Sequence, residues 1–393
     1  MGEGTRTVAQ VTVGIVAGEA SGDALAATLI EAVRARLPQV RFVGIAGPRM
    51  EAAGCKAWYP VEKLAVRGFV EVVRHLPALL RIRRDLRRRF LAEPVSLFIG
   101  VDAPDFNLGL ERTLKRAGVR TIHFVSPSVW AWRRERLATI GQSADRVLAL
   151  FPFEPPLYED AGIAVTYVGH PLAQDAATHA TRRETREQLR LRASTPVFAL
   201  LPGSRMSEVE MHTDLLLDTA ARILEARPDA QFLVPFVTRA TRDAFEARMH
   251  HRDQAHLPLT LLYGHAAEAL RAAEVALVAS GTATLEAALA RCPHVIFYRV
   301  SRLTYYIVQR KLLLPYVGLP NVLAGRFVVP EFIQEHATAV NLSQAALNLY
   351  DDTVTRRRVE ALFAEFARTL SADTGQLAAE AVAGELARAG IAC

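Results

Sequence analysis

Short, unbroken apolar runs recur along this chain, each ending in a small-residue turn and followed by a longer stretch of helical periodicity. They fall near residues 11–17, 41–45, 96–101, 120–125, 146–150 and 165–168, and again near 196–201, 231–237, 259–262, 275–279 and 294–298. A strand with one wet face alternates polar with apolar residues. These runs do not, so they predict strands covered on both faces. Strands that alternate with helices build parallel sheets from βαβ units, and the expected fold class is α/β. Each half opens alike. Residues 13–17 lead into Gly18-Glu19-Ala20-Ser21-Gly22-Asp23 and a helix; residues 198–201 lead into Pro202-Gly203-Ser204-Arg205 and a helix. This repeat of architecture predicts two Rossmann-like lobes, 8–175 and 190–350, with a polar helix-and-linker stretch at 174–194. The last helical segment, from about 355 to 393, is expected to return to the first lobe. Paired lobes of this kind place a ligand cleft where strand C-termini and helix N-termini converge.

A formal net charge of +6 and an isoelectric point of about 9.4 favour anionic partners: phosphorylated metabolites, nucleic acid or an anionic membrane face. Cys55, Cys292 and Cys393 form no CxxC pair and no metal-ligand cluster, so neither a disulfide framework nor a metal site is expected. No run of 18 uncharged apolar residues occurs, and the start has no leader pattern. A cytosolic, non-spanning protein is expected.

Five loops carry candidate chemistry. In residues 18–23, glycines let a ligand approach the backbone, and the N–H groups of a helix start favour anions. Glu19, Ser21, Gly22 and Asp23 are the candidate contacts; a plain turn capped by Ser21 or Asp23 is the alternative. Gly203, Ser204 and Arg205 add a guanidinium fork suited to phosphate oxygens, unless Arg205 is merely solvated. Ser280, Gly281, Thr282 and Thr284 could wrap a diphosphate, and Glu286, expected in the first turn of the next helix, could accept ribose hydroxyls. Asp102 and Asp105 end another strand and are candidate general bases, although one could instead cap a helix. Trp130 and Trp132 with Arg133 form either a substrate wall or a packed loop.

Residues 61–90 place Val66, Phe69, Val70, Val73 and Leu76 at about helical spacing, with arginines taking over beyond residue 80. Such a segment either lies on an anionic bilayer or packs on its own lobe. Pro77 is expected to break or kink it. No nucleic-acid motif accompanies the arginines, so nucleic acid is not an expected partner.

Taken together, the chain resembles the lipid-A-disaccharide synthases, inverting glycosyltransferases of family 19. The resemblance is carried by the loops above, with Gly47-Pro48-Arg49-Met50, Asp102-Ala103-Pro104-Asp105-Phe106-Asn107, Val125-Ser126-Pro127-Ser128-Val129-Trp130-Ala131-Trp132 and Leu319-Pro320-Asn321-Val322-Leu323-Ala324-Gly325, in order from about residue 11 to about 340. It implies a GT-B fold that needs no cofactor. It implies UDP-2,3-diacylglucosamine as donor and 2,3-diacylglucosamine 1-phosphate as acceptor, joined as a β-1,6 disaccharide 1-phosphate with release of UDP. It implies Asp102 as base with Asp105 as substitute, Arg205 against the leaving diphosphate, and UDP held by Ser280, Gly281, Thr282, Thr284 and Glu286. Asn321 and Gln334 are implied donor contacts. The 66–80 stretch is implied to meet the cytoplasmic face of the inner membrane. Another UDP-sugar enzyme of the same fold, or a nucleotide-binding peripheral protein without turnover, is the alternative.

Overall fold

Runs of Val, Ile, Leu and Phe closed by turns form two all-parallel sheets in the computed structural model, which describes residues 11–64, 69–93, 95–131, 134–176, 180–300, 305 and 313–391. One unit runs to Pro171 and resumes at Leu370; the other is Leu172–Thr369.

In the first unit, β1 (Thr12–Ala17), β2 (Arg41–Ala46), β3 (Cys55–Pro60), β4 (Leu97–Val101), β5 (Arg120–Phe124), β6 (Arg146–Ala149) and β7 (Val165–Tyr167) line up as β3-β2-β1-β4-β5-β6-β7. One face of this sheet buries Ile15, Phe42 and Ile99 against the helices Ala20–Arg36 and Thr374–Arg388, through Leu29 and Val382. The other buries Phe98 against Leu86 and Phe90 of the helix Phe69–Ala92 and Leu110 and Leu114 of the helix Pro104–Arg116. Each fully buried Phe contributes roughly 1.5–3 kcal/mol. The C-terminal helix is also pinned electrostatically. The buried Glu385 carboxylate accepts from Arg120 Nε at 3.0 Å and Arg146 Nε at 2.9 Å, at the starts of β5 and β6.

In the second unit, β8 (Val197–Leu201), β9 (Gln231–Phe236), β10 (Leu259–Tyr263), β11 (Val275–Ala279), β12 (His294–Tyr298) and β13 (Glu331–Ile333) line up as β10-β9-β8-β11-β12-β13. All five residues of β8 and of β11 are buried, as strands covered on both faces must be. The helices Met206–Ala226 and Ala339–Asp351 cover one face, through Leu216, Ile223, Leu342 and Ala346. The helix Ala266–Ala272 covers the other, through Ala269 and Leu270.

Four features differ from expectation. β3 and β13 are added at sheet edges: Lys56 interrupts the apolar residues of β3, and β13 is only three residues long. The helix Phe69–Ala92 continues through Pro77, which lacks an N–H and removes one backbone hydrogen bond. The segment after 353 is two helices, Thr353–Leu370 and Thr374–Arg388. The second starts where the Asp373 side chain accepts the Gln376 N–H at 2.9 Å. Within the polar stretch, the helix Arg182–Gln188 is docked rather than free: buried Arg186 meets Glu274 at 2.5 Å and the Ala272 carbonyl at 2.8 Å.

Each sheet has one switch point, where successive strands are added in opposite directions: between β1 and β4, and between β8 and β11. In open parallel sheets, ligands bind at the strand C-termini beside such a point.

Candidate active site

In the first unit the loops after β1 and β4 meet at the switch point. A Cβ at Gly18 would overlap that of Ala103, so only glycine allows the two loops this approach. Glu19, half-buried, precedes the helix Ala20–Arg36; Ser21 is exposed in its first turn, and Gly22 is buried near the Val101 carbonyl. Asp23 points inward. Its carboxylate accepts the N–H groups of Gly47 at 2.9 Å, Arg49 at 3.0 Å and Met50 at 3.1 Å, capping the short helix Pro48–Ala52.

Asp102 and Ala103 stand at φ 53° and 44°, two successive non-glycine residues in the left-handed region. Such residues cost roughly 1–3 kcal/mol each, and the strain concentrates at functional sites. The half-buried Asp102 carboxylate has no hydrogen-bond or ion-pair partner among the described residues. Asp105 differs: it is exposed and ion-paired with Arg136 at 2.5 Å. Below Asp102 lies a polar layer that sequence reading did not single out as functional. Asn107 Nδ2 donates to the Asp102 carbonyl at 2.8 Å, and His123 Nδ1 meets Glu111 Oε1 at 2.7 Å with both side chains fully buried. Burial opposes charge on His123, but the Glu111 carboxylate outweighs it and raises the ring's proton affinity, with Asp102 adding to the effect. Burial raises Glu111 in turn, against the pull of His123. Glu111 and His123 are twelve residues apart, and only the β4–β5 register, which pairs Gly100 with His123, brings the ring under the helix Pro104–Arg116.

In the second unit, Gly203 stands at φ 119°, and a Cβ there would meet Glu208 Cβ at 2.7 Å; both facts demand glycine. Glu208 gathers the loop. Its Oε2 accepts the N–H groups of Ser204 at 3.0 Å and Arg205 at 3.2 Å, while its Oε1 takes Arg205 Nη1 at 3.3 Å and the Tyr298 hydroxyl at 3.0 Å. Arg205 keeps half its side chain exposed. The buried His212 Nε2 accepts the Arg299 N–H at 3.1 Å, so Nδ1 carries the proton and donates to the Pro202 carbonyl at 2.7 Å. The ends of β8 and β12 are thus tied together. Glu208 lies three residues beyond Arg205, the spacing of a capping box, so it was findable; His212 and Tyr298 left no local signal.

The loop after β11 opens beside this one. Gly281, at φ 152°, precedes the helix Thr282–Leu289 and faces open space. Ser280 is half-buried and Thr282 exposed. Thr284 is buried: its hydroxyl donates to the Gly281 carbonyl at 2.8 Å and accepts the Leu319 N–H at 3.3 Å. Glu286 falls in the second turn, not the first, because the helix starts at Thr282; it is half-buried, and burial raises its proton affinity. Asn321 and Gln334 are engaged internally. Asn321 donates to Val329 O at 3.0 Å and Glu331 Oε1 at 2.7 Å, and accepts from Val328 N at 2.7 Å and Val329 N at 3.0 Å. The Gln334 amide pairs both ways with the Val300 backbone, at 3.1 and 3.0 Å.

Of the expected membrane set, Val66 lies outside the described residues, and Phe69, Val70 and Val73 fall within the helix Phe69–Ala92. Leu76 and Leu80, one turn apart on that helix, are 45% and 39% exposed, whereas Leu86 and Phe90 on its later turns are core. No helix among the described residues is long and apolar enough to cross a membrane.

Two parallel-sheet units with loops at their switch points define the GT-B class. Solved structures similar to this chain include the calicheamicin glycosyltransferase (TM-score 0.60, 14% identity, covering 97% of this chain and 99% of that one) and MurG from Acinetobacter baumannii (0.56, 15%, 95% and 99%). At such identities the likeness speaks to the fold. Sequence relatives are nearer. The chain is 54% identical over 370 residues to the lipid-A-disaccharide synthase of Chromobacterium violaceum, covering 94% of this chain and 96% of that one. It is 51% identical over 373 residues to that of Dechloromonas aromatica, covering 95% and 98%. The profile of the lipid-A-disaccharide synthetase family matches residues 13–382, and this chain belongs to that family. It is a glycosyltransferase of lipid A biosynthesis.

Proposed function

We propose that this enzyme transfers 2,3-diacylglucosamine from UDP-2,3-diacylglucosamine to 2,3-diacylglucosamine 1-phosphate, giving a β-1,6-linked tetraacyl disaccharide 1-phosphate and UDP. The reaction is a single displacement with inversion. Asp102 takes the proton of the acceptor 6-hydroxyl as that oxygen attacks the anomeric carbon. The bond from that carbon to the diphosphate breaks, and its electron pair leaves on the β-phosphate oxygen. Negative charge grows there, and Arg205, the Ser204 and Arg205 amides and the start of the helix Thr282–Leu289 offset it. Ser280, Gly281 and Thr282 line the diphosphate, and Glu286 accepts the ribose hydroxyls. Thr284, Asn321 and Gln334 contribute by holding these loops.

One observation carries the assignment of the base: Asp102 follows a buried strand in a strained backbone, with a carboxylate that has no hydrogen-bond or ion-pair partner among the described residues, whereas the exposed Asp105 is ion-paired with Arg136. Both substrates carry acyl chains, so the enzyme must meet them at a bilayer. Exposed Leu76 and Leu80, followed by exposed Arg81, Arg84, Arg87 and Arg88, support docking on the anionic cytoplasmic face of the inner membrane. The test is UDP release from the two lipid substrates. Asp102→Asn is expected to lower kcat by about 10²–10⁴-fold, the usual worth of a general base, and Asp105→Asn by under tenfold. The reverse order would transfer the assignment to Asp105.

A further inference from the structure

Asn107 is fully buried on the inner face of the helix Pro104–Arg116. Its Nδ2 has three acceptors, all main-chain carbonyls: Asp102 at 2.8 Å, Val16 at 3.3 Å and Val101 at 3.4 Å. Only the nitrogen end of an amide can face carbonyl oxygens, so the orientation of the side chain is determined. Its Oδ1 is buried with no partner among the described residues. An orphaned carbonyl oxygen in a dry interior is a liability that a leucine of similar volume avoids. The amide therefore earns its place through its N–H groups. What they grip is the end of β1, the end of β4 and the left-handed stretch at Asp102 and Ala103.

The helix that carries Asn107 is held to the sheet by a second polar contact. Glu111, one turn further along, meets His123 of β5, and a Cβ at Gly100 would overlap Glu111 Oε1. Glu111 Oε2 and His123 Nε2 also lack partners among the described residues. Three unpartnered buried polar atoms within one turn of helix and its facing strand make a poor stabilising core. They are tolerable where geometry matters more than stability.

We propose that Asn107 is a positioning residue for glycosyl transfer, holding Asp102 and Ala103 in the backbone geometry that presents the Asp102 carboxylate, on a helix face registered by the Glu111–His123 pair. This rests on Asp102 being the base.

The experiment compares wild type, Asn107→Ala, Ala103→Gly and the double variant in the full chain, measuring UDP release and UDP binding. Asn107→Ala is expected to lower kcat about 100-fold, the usual consequence of misplacing a reacting group by an ångström, with KM for the donor and Kd for UDP within about twofold. Glycine adopts positive φ freely. Adding Ala103→Gly should therefore recover kcat by about five- to tenfold relative to Asn107→Ala, because the backbone no longer has to be forced into the left-handed region. A residue that merely fills the core would not be rescued at a neighbouring backbone position. Retention of kcat within about threefold in Asn107→Ala, or no recovery in the double variant, overturns the proposal. If Asn107→Ala does not fold, the same comparison is made with Asn107→Ser, which keeps a small donor. A wild type that releases no UDP, or an Asp102→Asn that retains full turnover, would instead sink the reading of the base on which this rests.

Discussion

Sealed between Trp130 and the turn after β6, the carboxyl of Glu154 does not titrate as it would in water. It is 1% exposed and accepts the N–H groups of Leu150 at 3.1 Å, Phe151 at 3.0 Å and the Trp130 indole at 3.2 Å. Burial nevertheless dominates and lifts its pKa from 4.5 to about 7. The folded value lies above the unfolded one. The associated stability is therefore fully present below about pH 4.5 and is lost as pH rises through 7. That loss amounts to about 3 kcal/mol. Melting temperature should fall between pH 5 and 8 in the wild type and fall distinctly less in Glu154→Gln; parallel curves would contradict the assignment. Such a group is hard to read from sequence, because a glutamate in a Pro-rich turn gives no sign of being sealed. Asp102 and Arg205 stand out in the sequence because each follows an apolar run that ends at a turn. Asn321 and Gln334 were read as donor contacts; in the structure the Asn321 amide is engaged by the Val328 and Val329 backbone and the Glu331 carboxylate, and the Gln334 amide by the Val300 backbone. A short motif does not distinguish an amide that binds a ligand from one that binds its own loop.

At the scale of elements, the apolar runs predicted the buried strands and also the half-exposed edge strands β7 and β10; β3 escaped because Lys56 interrupts its run, and β13 because it is only three residues long. The C-terminal helix makes a specific case. Glu385 is buried among Arg120 and Arg146, and Arg388 also reaches it. Removing Glu385 takes away the buried acceptor that these partly exposed arginines share. Because the arginines left behind are only partly buried, Glu385→Ala should destabilise the first unit by about 1.5–3 kcal/mol, seen as an earlier urea transition. Stability within 1 kcal/mol of wild type would show that the apolar packing of Val382 and Leu386 suffices. The helix Phe69–Ala92 divides its labour, with Leu86 and Phe90 in the core and Leu76 and Leu80 outside. Leu76→Ser with Leu80→Ser should weaken binding to anionic vesicles by about tenfold or more and leave UDP binding intact. Joint loss of both would mean that these leucines support the fold.

For the whole molecule, two parallel sheets give two switch points, and the candidate loops lie at both. The division of labour proposed for them is chemical: the first unit supplies a base, the second an anion-stabilising donor site. A net charge of +6 suits the anionic substrates and membrane surface proposed for this enzyme. Sequence alone made the two parallel sheets legible, since a repeated strand-turn-helix opening marks each half; it could not show Glu111 and His123, which meet only through strand register. The most direct measurement is mass spectrometry of the product formed from UDP-2,3-diacylglucosamine and 2,3-diacylglucosamine 1-phosphate, by wild type and by Asp102→Asn. Wild type is expected to give a tetraacyl disaccharide 1-phosphate, and the variant only traces in the same time. Hydrolysed donor without disaccharide, or equal product from both proteins, would contradict that expectation.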